Sequence, residues 1–383
     1  MTKTRQNGWQ EVKIGDFADV KHGYAFKGQY ITDEVNNNIL VTPGNFYIGG
    51  GFKSSKFKYF TGEIPQDYVL KEDDIIVTMT DLSKEGDTLG YSAKVPKSKA
   101  GEKYLHNQRI GLLHFESEDA DKNFIYWLMR TRDYHWSIVG SASGTSIRHT
   151  SPTTIKQYKF LLPPLPEQKA IAEMLSSLDE KIDLLHRQNK TLEDMAQALF
   201  RKWFVEEAKE DWEEVKLGDY FPVVTGKKDA NYSSVDGQYP FFTCAQGILK
   251  APDYSFEGSA ILLAGNGDFN VKRYIGKFEA YQRTYVLIPH EEKYFGFLYT
   301  LIKYHLDSIT GGAQGSVISF ITKGMITDFQ FSIPKINFDE KLEKFNEFYT
   351  KIDANQSQIN TLENLRDTLL PRLISGAIKV RFN

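Results

Sequence analysis

The sequence is poor in the residues that build disulfide or metal frameworks. Cys244 is the single cysteine among 383 residues, which excludes an internal disulfide framework and is typical of a reducing compartment. The eight histidines form no metal-ligand spacing with it. No apolar run approaches the roughly 18 residues of a membrane span, and the first residues lack the apolar stretch of a signal peptide. We therefore expect a soluble, cytoplasmic protein that binds no metal.

Motifs that bind catalytic cofactors are also missing. No Gly-x4-Gly-Lys-Ser/Thr loop is present to hold ATP, and Gly265-Asn-Gly267 lacks the third glycine of a dinucleotide site. The stretch at residues 162–165 (LPPL) is similar to the Asn/Asp-Pro-Pro-aromatic motif of amino-methyltransferases. It lacks both the polar residue and the aromatic residue that hold the target base. The sequence therefore predicts a protein without catalytic activity and without a bound cofactor.

The chain also lacks a basic excess. Its 47 basic and 50 acidic residues give a net charge of -3, which is not the basic balance of a self-sufficient nucleic-acid binder. Basic residues still cluster locally, between Lys94 and Lys99 and between Lys272 and Lys277. Each cluster is either part of a binding surface or ordinary solvated surface, and the sequence leaves both interpretations open.

What the sequence does contain is an internal repeat. Residues 9–17 (WQEVKIGDF) return at 212–220 (WEEVKLGDY), and the Lys-Ile-Asp of 181–183 returns at 351–353. The offset between the copies falls from 203 residues at the first match to 170 at the second, so the second copy is shorter. Such deletions fall in loops, which tolerate changes of length. The repeat predicts two similar globes, each followed by a long helix.

We predict a mixed α+β fold class. In each globe, short apolar runs alternate with turn-rich stretches, which is typical of strands, and one helix is expected near residues 123–130 and near 294–305. The expected architecture is two similar α+β globes separated by two long helices that form an antiparallel coiled coil, with an internal pseudo-two-fold repeat. The predicted segments are globe 1 (1–160), helical region 1 (161–211), globe 2 (212–333) and helical region 2 (334–383).

Apolar residues in both helical regions follow a heptad. They recur at spacings of 3 and 4 from Ile171 to Trp203 and again from Phe345 to Leu373. This seam predicts a coiled coil, and plain core helices within a compact domain are the alternative. The seam residues that we expect to pair the helices or to bind a partner are Leu178, Ile182, Leu185, Asn189, Leu192, Leu199, Trp203, Ile352, Asn355, Ile359, Leu362 and Leu369.

Two asparagines, Asn189 and Asn355, interrupt the seams. If the helices run antiparallel with these asparagines opposite each other, the numbers of facing residues always sum to 544. One buried Asn pair would fix register and orientation at some cost in stability. The same register places Leu178 opposite Arg366. That layer is tolerated only if the guanidinium reaches solvent or an acidic side chain.

Local signals mark the ends of the two helices. Prolines and an acid at residues 163–168 are typical of a helix start, because a first-turn proline loses no hydrogen bond and an acid favours the helix dipole. Asn337 followed by Glu340 predicts the start of the second helix. Pro371 is expected to kink or end that helix near Leu370, because its ring clashes with the preceding turn.

Polar loops and a repeated Gln-Arg pair are the candidate nucleic-acid contacts. Residues 141–150 and 311–319 are rich in small residues whose amides and hydroxyls suit phosphate oxygens. Residues 108–109 and 282–283 are both Gln-Arg, the side chains that fit adenine and guanine. Strand-edge or turn filling is the alternative for any one residue, although recurrence favours binding. The candidate contacts are Thr80, Lys94, Asn107, Gln108, Arg109, Thr145, Ser146, Arg148, His149, Lys227, Lys228, Asn266, Lys272, Arg273, Gln282, Arg283, Gln314 and Ser316.

The helical regions resemble a known family. Residues 161–168 (LLPPLPEQ), continuing through 176–183 (SSLDEKID) to 198–204 (ALFRKWF), resemble the first conserved region of type I restriction-modification specificity subunits. Residues 369–376 (LLPRLISG) are similar to the second conserved region. The order of globe, helix, globe, helix matches the family, and the resemblance covers nearly the whole chain.

The resemblance implies a DNA-recognition subunit. Each globe would be a target-recognition domain that reads one half of an asymmetric, gapped sequence in double-stranded DNA. Two modification subunits would dock on the helices, bind S-adenosylmethionine and methylate adenine N6. Two restriction subunits would supply translocation and cleavage that depend on ATP and Mg. This chain would itself bind no cofactor and no membrane.

Two other functions remain open from the sequence. A coiled-coil adaptor would carry globes that bind proteins, whereas a self-sufficient methyltransferase or nuclease would act without partners. The missing catalytic motifs weigh against the second of these. Sequence-dependent retention of DNA together with a methyltransferase partner would distinguish a DNA-recognition subunit from a protein adaptor.

Overall fold

The chain divides into two compact units. The first unit contains residues 1–182 and 361–383, and the second contains residues 183–360. Both units combine helices and sheets, which confirms the predicted α+β class. The computed structural model describes residues 8–144, 147–267, 269–311 and 320–380.

The first unit consists of short strands, short helices and parts of two long helices. Its strands are β1 (Gln10–Lys13), β2 (Ala18–His22), β3 (Ile31–Thr32), β4 (Asn38–Val41), β5 (Lys58–Phe60), β6 (Val69–Leu70), β7 (Ile75–Thr78), β8 (Thr80–Asp81), β9 (Ser92–Lys94), β10 (Lys103–His106), β11 (Ile110–Phe115), β12 (Arg148–His149) and β13 (Lys159–Leu162). Its helices are α1 (Lys122–Leu128), α2 (Arg132–Gly140), α3 (Pro152–Lys156) and the beginning of α4 (Leu165–Phe200).

Two sheets form the core of the first unit. One has the order β2-β11-β7-β9 and is antiparallel, and the other has the order β3-β5-β4-β10-β6 with β4 and β10 parallel. The central strand β7 is buried along its whole length. Ile75 and Val77 pack into one apolar cluster and Ile76 into another, since successive side chains of a strand point to opposite faces. Phe124 and Trp127 of α1, the helix predicted near residues 123–130, fill the first cluster.

The second unit is built around one larger sheet. Its strands are β14 (Glu213–Lys216), β15 (Val223–Thr225), β16 (Tyr239–Phe242), β17 (Leu249–Ala251), β18 (Phe256–Ala264), β19 (Val271–Ala280), β20 (Thr284–Leu287) and β21 (Gln330–Ile333). Its helices are α5 (Phe295–Tyr304), α6 (Leu306–Thr310), α7 (Lys323–Thr327) and most of α8 (Asp339–Ile374), with a short π-helix (Arg201–Glu206) after α4.

The six-stranded sheet has the order β15-β20-β18-β19-β16-β17. Only the pair of β16 with β19 is parallel among its described pairings. Ile261 and Leu263 of β18 face the cluster that contains α5, while Ala260 and Leu262 face a second cluster. The predicted helix near residues 294–305 is confirmed as α5, which is buried from Phe295 to Ile302 because its sequence is apolar on every face.

The internal repeat is visible in the strand pairs of each unit. β1 pairs antiparallel with β13 in the first unit, and β14 pairs antiparallel with β21 in the second. Directly after these strands, Gly15 approaches Lys156 and Gly218 approaches Thr327. A Cβ atom at either glycine would lie 2.9 Å from the neighbouring residue. Glycine is therefore needed at the same place in both copies.

The two long helices α4 and α8 each contain 36 residues. Within the second unit they run antiparallel, because Asn189 meets Asn355 while Phe200 lies beside Phe345, with 6.4 Å between ring centroids. The Asn355 Nδ2 donates to Asn189 Oδ1 at 2.8 Å. This contact confirms the predicted register. All of the predicted seam residues are buried or half-buried.

The polar layer predicted at Arg366 is confirmed within the first unit. The Arg366 guanidinium donates to Asp179 Oδ1 at 2.6 Å, and Arg130 donates to the other oxygen of the same carboxylate at 2.6 Å. Leu178 beside it is half-buried. An acidic partner therefore allows an arginine to occupy the seam.

The predicted start signals are confirmed. Of the two expectations for Pro371, an end of the helix near Leu370 is wrong, and a kink stays a prediction. Asn337 Oδ1 accepts the Asp339 amide at 2.7 Å at the start of α8. Pro371 does not end α8, which continues to Ile374. Proline removes one hydrogen bond, but its own carbonyl accepts the Ser375 amide at 3.1 Å, and burial of Leu373 and Ile374 holds the last turn.

Neither long helix, nor any other helix in the described part of the chain, has the length and apolarity that a membrane crossing needs.

Candidate nucleic-acid interface

A tight turn between β10 and β11 presents Gln108 and Arg109 in the first unit. The Ile110 amide donates to the Asn107 carbonyl at 2.9 Å, and the Asn107 side chain accepts the Arg109 amide at 3.0 Å. Asparagine favours such a turn because its side chain bonds the backbone two residues ahead. Gln108 and Arg109 are exposed, and their side chains take part in no hydrogen bond or ion pair among the described residues.

The second unit has the same turn between β19 and β20. The Thr284 amide donates to the Tyr281 carbonyl at 2.8 Å, and Gln282 and Arg283 are exposed at the tip. Within residues 269–311 and the other described ranges, neither of these two side chains is engaged in a hydrogen bond or ion pair. Both turns therefore leave a glutamine and an arginine available to a ligand.

A glycine on the neighbouring strand supports each turn. The Gly23 amide donates to the Ile110 carbonyl at 3.2 Å, and the Gly226 amide donates to the Thr284 carbonyl at 2.9 Å. A Cβ at Gly23 would lie 2.1 Å from the Asn107 carbonyl oxygen, and a Cβ at Gly226 would lie 2.2 Å from that of Ala280. The turn approaches so closely that only glycine fits. Residues one or two positions further along continue the support, since the Tyr24 and Lys228 carbonyls accept the Gln108 and Gln282 amides, each at 2.9 Å.

On the other side of each turn lies a second strand segment. The Arg109 carbonyl accepts the Met79 amide at 2.9 Å, and the Arg283 carbonyl accepts the Gly265 amide at 2.8 Å. Met79 in turn accepts the Thr150 amide at 3.0 Å, and Gly265 accepts the Ile321 amide at 2.9 Å. The same chain of hydrogen bonds therefore joins three segments in both units.

This frame places one further residue pair beside each turn. Thr80 pairs with His149 across β8 and β12, and Asn266 pairs with Phe320 in an isolated antiparallel bridge. We define the Gln-Arg surface as the following residues: Gln108, Arg109, Thr80 and His149 in the first unit, and Gln282, Arg283, Asn266 and Phe320 in the second.

In the first unit, buried hydrogen bonds stabilise the base of the surface. Thr80 is 4% exposed, and its hydroxyl lies 3.2 Å from His149 Nδ1. Next to it, burial alone would raise the pKa of Asp81, but hydrogen bonds from Thr88 and Ser83 outweigh this effect and lower the pKa. The carboxylate therefore stays charged and fixes the loop that follows β8.

In the second unit, the surface contains a depression of about 310 Å³. Its floor is held by the Tyr285 hydroxyl, which donates to the Ile321 carbonyl at 2.8 Å, and burial raises the pKa of that phenol. The depression is therefore polar at the Gln-Arg side and apolar at the aromatic side. It is lined by Thr225, Gly265, Asn266, Gln282, Arg283, Tyr285, Phe320 and Ile321.

Several basic candidates lie near the surface but are engaged with their own unit. The Arg148 Nε donates to the Lys84 carbonyl at 3.2 Å. The Lys228 ammonium lies 4.3 Å from the centroid of the Tyr232 ring, and that of Lys227 lies 5.8 Å from the centroid of Phe256. These cation–π contacts leave the ammonium groups at the surface.

Three other basic candidates either lie away from the turns or bind groups of their own unit. Lys94 pairs with Ile75, at the end of β7 opposite the turn, and burial lowers its pKa. The Lys272 ammonium donates to the Thr243 and Ala245 carbonyls, and burial lowers its pKa as well. A third candidate, Arg273, is paired with the second long helix.

Arg273 is held between two tyrosines and an acid of the second unit. Its Nη1 lies 2.6 Å from Asp353 Oδ2, and its guanidinium carbon lies 4.7 Å from the centroid of the Tyr349 ring and 5.8 Å from that of Tyr299. Its side chain is 9% exposed. This arginine therefore connects the sheet to α8, and its guanidinium is not presented to solvent.

Four candidates, Thr145, Ser146, Gln314 and Ser316, lie outside the described residues. Sequence reasoning missed Phe320, which is 56% exposed on the Gln-Arg surface. An aromatic residue directly after the glycine-rich segment 311–319 was the available signal. Among the described residues, no group of three or more His, Cys, Asp or Glu side chains could hold a metal ion.

The chain belongs to the family whose model describes the type I restriction modification DNA specificity domain. The model matches twice, over residues 6–194 and over residues 209–364. The two matches correspond to the two copies of the internal repeat. The family identified from the sequence of the helical regions is thereby confirmed.

Individual relatives carry the same description. The chain is 39% identical over 173 residues to the EcoDI type I restriction enzyme specificity subunit of Escherichia coli, a match that covers 44% of this chain and 39% of that protein. The chain therefore spans well under half the length of this relative. It is 22% identical over 416 residues to the MjaVIII specificity subunit of Methanocaldococcus jannaschii, covering 97% of this chain and 93% of the relative.

A solved structure shows the same fold. The crystal structure of the type I restriction-modification system S subunit from M. genitalium matches with a TM-score of 0.62 at 20% sequence identity. The match covers 97% of this chain and 98% of that structure.

Proposed function

We propose that this chain recognises a bipartite, gapped sequence in double-stranded DNA, and that each unit reads one half through its Gln-Arg surface. The observation that best supports the proposal is the shared frame around the two turns. In both units the same backbone hydrogen bonds expose a glutamine and an arginine that make no side-chain hydrogen bond with the described protein.

The chemistry of these side chains suits base recognition. Arginine donates two parallel hydrogen bonds to guanine O6 and N7, and glutamine bonds adenine N6 and N7. Nearby Lys227, Lys228 and Arg148 are suited to phosphate contacts. The net charge of -3 limits how many phosphates this chain neutralises, so much of the DNA affinity would come from partner subunits.

The two long helices would bind those partners. Each exposes apolar side chains outside the seam, including Met174 and Met195 on α4, both more than a third exposed, and Leu365 on α8, which is 44% exposed. Exposed apolar groups on a helix are suited to docking another protein. We infer that two modification and two restriction subunits assemble here, and that they hold S-adenosylmethionine, ATP and Mg.

In this assignment the chain is a non-catalytic subunit. Its target-recognition domains would comprise residues 1–160 and 212–333, and its partner-binding helical regions would comprise residues 161–211 and 334–383. The purified chain alone should transfer no methyl group to DNA. Methylation should appear when a modification subunit and S-adenosylmethionine are added, and transfer by the isolated chain would contradict the assignment.

The recognition proposal is tested with a pool of random double-stranded DNA. The full chain, with and without a modification subunit, is mixed with the pool, and the retained duplexes are sequenced. We expect two conserved half-sites separated by a fixed gap. Co-purification with a methyltransferase but without any enriched DNA sequence would instead support a protein adaptor.

A further inference from the structure

We propose that His149 and Phe320 occupy equivalent positions and read different bases in the two half-sites. His149 would make a hydrogen bond to a base edge, and Phe320 would contact the methyl group of a thymine. This inference rests on the proposed DNA recognition and assigns specificity within it.

The equivalence follows from the backbone and not from residue identity. Thr150 and Ile321 donate to the strand segment that supports each turn, through Met79 and Gly265 respectively. The residue before each donor therefore occupies the same place in its unit. That residue is His149 in the first unit and Phe320 in the second.

His149 and Phe320 differ, whereas the other exposed residues of the Gln-Arg surface are the same in both units. Gln108 and Arg109 match Gln282 and Arg283 in identity, exposure and backbone hydrogen bonding. A feature shared by both units cannot distinguish one half-site from the other. The differing residue beside the turn is therefore suited to making the two half-sites unlike.

His149 is positioned to offer one ring nitrogen. Its ring is exposed, and Nδ1 lies 3.2 Å from the hydroxyl of Thr80, a residue that is 4% exposed. The His149 ring makes no other hydrogen bond to a described residue, so its Nε2 atom is available to a ligand. Thr80 acts as a positioning residue. Its side chain is buried, so it would affect DNA binding only by orienting the His149 ring.

Phe320 offers an apolar face in the same place. Its side chain is 56% exposed although it lies beside the polar residues Asn266 and Arg283. A phenyl ring makes no base-edge hydrogen bond, whereas it does contact the C5-methyl group that only thymine presents in the major groove. An exposed aromatic residue between groups that suit guanine and adenine fits a thymine next to a purine.

The test exchanges the two side chains in the full chain. His149→Phe and Phe320→His are each compared with the unmodified protein by sequencing duplexes retained from a random double-stranded DNA pool. We expect Phe320→His to lower the preference for thymine at one position by about five- to hundredfold, the usual effect of one mismatched base pair. His149→Phe should change one position of the other half-site.

Matched controls make the same exchanges at exposed positions away from the surface. His114→Phe replaces an exposed residue of β11 that pairs with Asp19 of β2. Ile336→His replaces a residue that precedes α8 and is 78% exposed. Both controls should keep the motif of the unmodified protein. Phe320→Leu should keep the preference for thymine, because it retains an apolar contact with little risk to folding.

The outcomes separate this inference from the function on which it rests. If the unmodified protein enriches two half-sites and both exchanges leave them unchanged, His149 and Phe320 are surface residues and the inference is wrong. The inference also fails if Phe320→Leu loses the thymine as completely as Phe320→His. If the unmodified protein with its modification subunit enriches no sequence, DNA recognition itself is wrong.

Discussion

Asp179 is the residue on which the buried charges of the first unit depend. Its oxygens pair with Arg130 and Arg366, whose side chains are 6% and 15% exposed. Burial alone would raise the pKa of Asp179, but the two arginines outweigh this effect and lower it. The carboxylate is therefore charged at neutral pH and compensates two guanidinium groups that have lost most of their water.

We expect Asp179→Asn to lower the free energy of unfolding by about 3–5 kcal/mol, because it leaves the buried Arg130 guanidinium without a counter-charge and leaves Arg366 with only the exposed Asp367. Urea unfolding followed by circular dichroism measures the change. Asp194→Asn is the matched control, since Asp194 pairs with Lys190 on the exposed face of α4. It should change stability by less than about 0.5 kcal/mol. Similar small effects of both substitutions would contradict the role of the buried pairs.

His106 is a second residue whose burial has an energetic consequence. It directly precedes the first Gln-Arg turn and is 1% exposed. Its Nε2 donates to the Ile110 carbonyl at 2.9 Å, and Nδ1 has no partner among the described residues. Burial lowers the pKa of His106 to about 4.

This lowered pKa predicts acid sensitivity in a defined window. An unfolded histidine has a pKa of about 6.5, so between that value and about 4 the unfolded chain binds the proton more tightly than the folded protein. The stabilisation from neutral His106 is present above pH 6.5 and is lost as the pH falls towards 4. We expect about 2 kcal/mol to be lost between pH 7 and pH 5.

The measurement is urea unfolding at both pH values for the protein and for His106→Gln, which retains a donor but does not titrate. The variant should show a smaller loss on acidification. His186→Gln, at an exposed position on α4, is the control for the loss of a histidine. An identical pH dependence in all three proteins would exclude His106 as the cause.

At the scale of elements, the Asn189–Asn355 contact gives a sharp test of the helix pair. Asn355 is 2% exposed and donates to Asn189 at 2.8 Å. Asn355→Leu alone should destabilise the protein by about 1–3 kcal/mol, because it leaves a polar group of Asn189 without its partner. Replacing both asparagines with leucine should recover most of that loss. Additive effects in this double-mutant cycle would show that the two residues do not interact.

The parts of the fold that could be predicted are those with a periodic signal. The seams of α4 and α8 repeat every three or four residues over more than seven turns, so their pairing and register could be inferred from the sequence. Helices α3 and α6 contain five residues each, which is too short for a period to show. Pro371 gave a local signal that burial of the following residues overrode.

The candidate site was predictable only where the two copies kept the same residues. Gln108-Arg109 and Gln282-Arg283 could be found because they are identical in type. The equivalence of His149 with Phe320 has only a weak sequence signal, because the two residues differ and the segments before them share little beyond Gly144 with Gly315 and Ile147 with Ile318. Backbone hydrogen bonds between segments distant in the chain establish it.

At the scale of the whole molecule, the two globes should be exchangeable. Each unit has its own apolar clusters and its own Gln-Arg surface. Replacing residues 9–160 with the equivalent globe of a relative should therefore change one half of the enriched DNA sequence and leave the other half unchanged. Sequencing of retained random duplexes measures this. Changes in both halves would contradict independent reading.

The asparagine contact between α4 and α8 also determines which halves of the chain can associate. The offset of 170 residues between the helices makes Ile359 the repeat equivalent of Asn189, and Leu185 that of Asn355. Two copies of the first half would therefore place Asn189 against Leu185, and two copies of the second would place Asn355 against Ile359. In either self-association, an asparagine side chain would be buried against an apolar residue and would lose its hydrogen-bond partner.

If the chain is divided into its two halves, each half should consequently associate with the other half and not with a second copy of itself. Differently tagged fragments covering residues 1–211 and 212–383, expressed together, should co-purify as a one-to-one complex in preference to either self-pair. Replacing Asn189 and Asn355 with leucine should weaken this preference, and the ion pair of Arg366 with Asp179 should retain part of it. The asparagine pair thus favours association of each half of the chain with the other half over association with a second copy of itself.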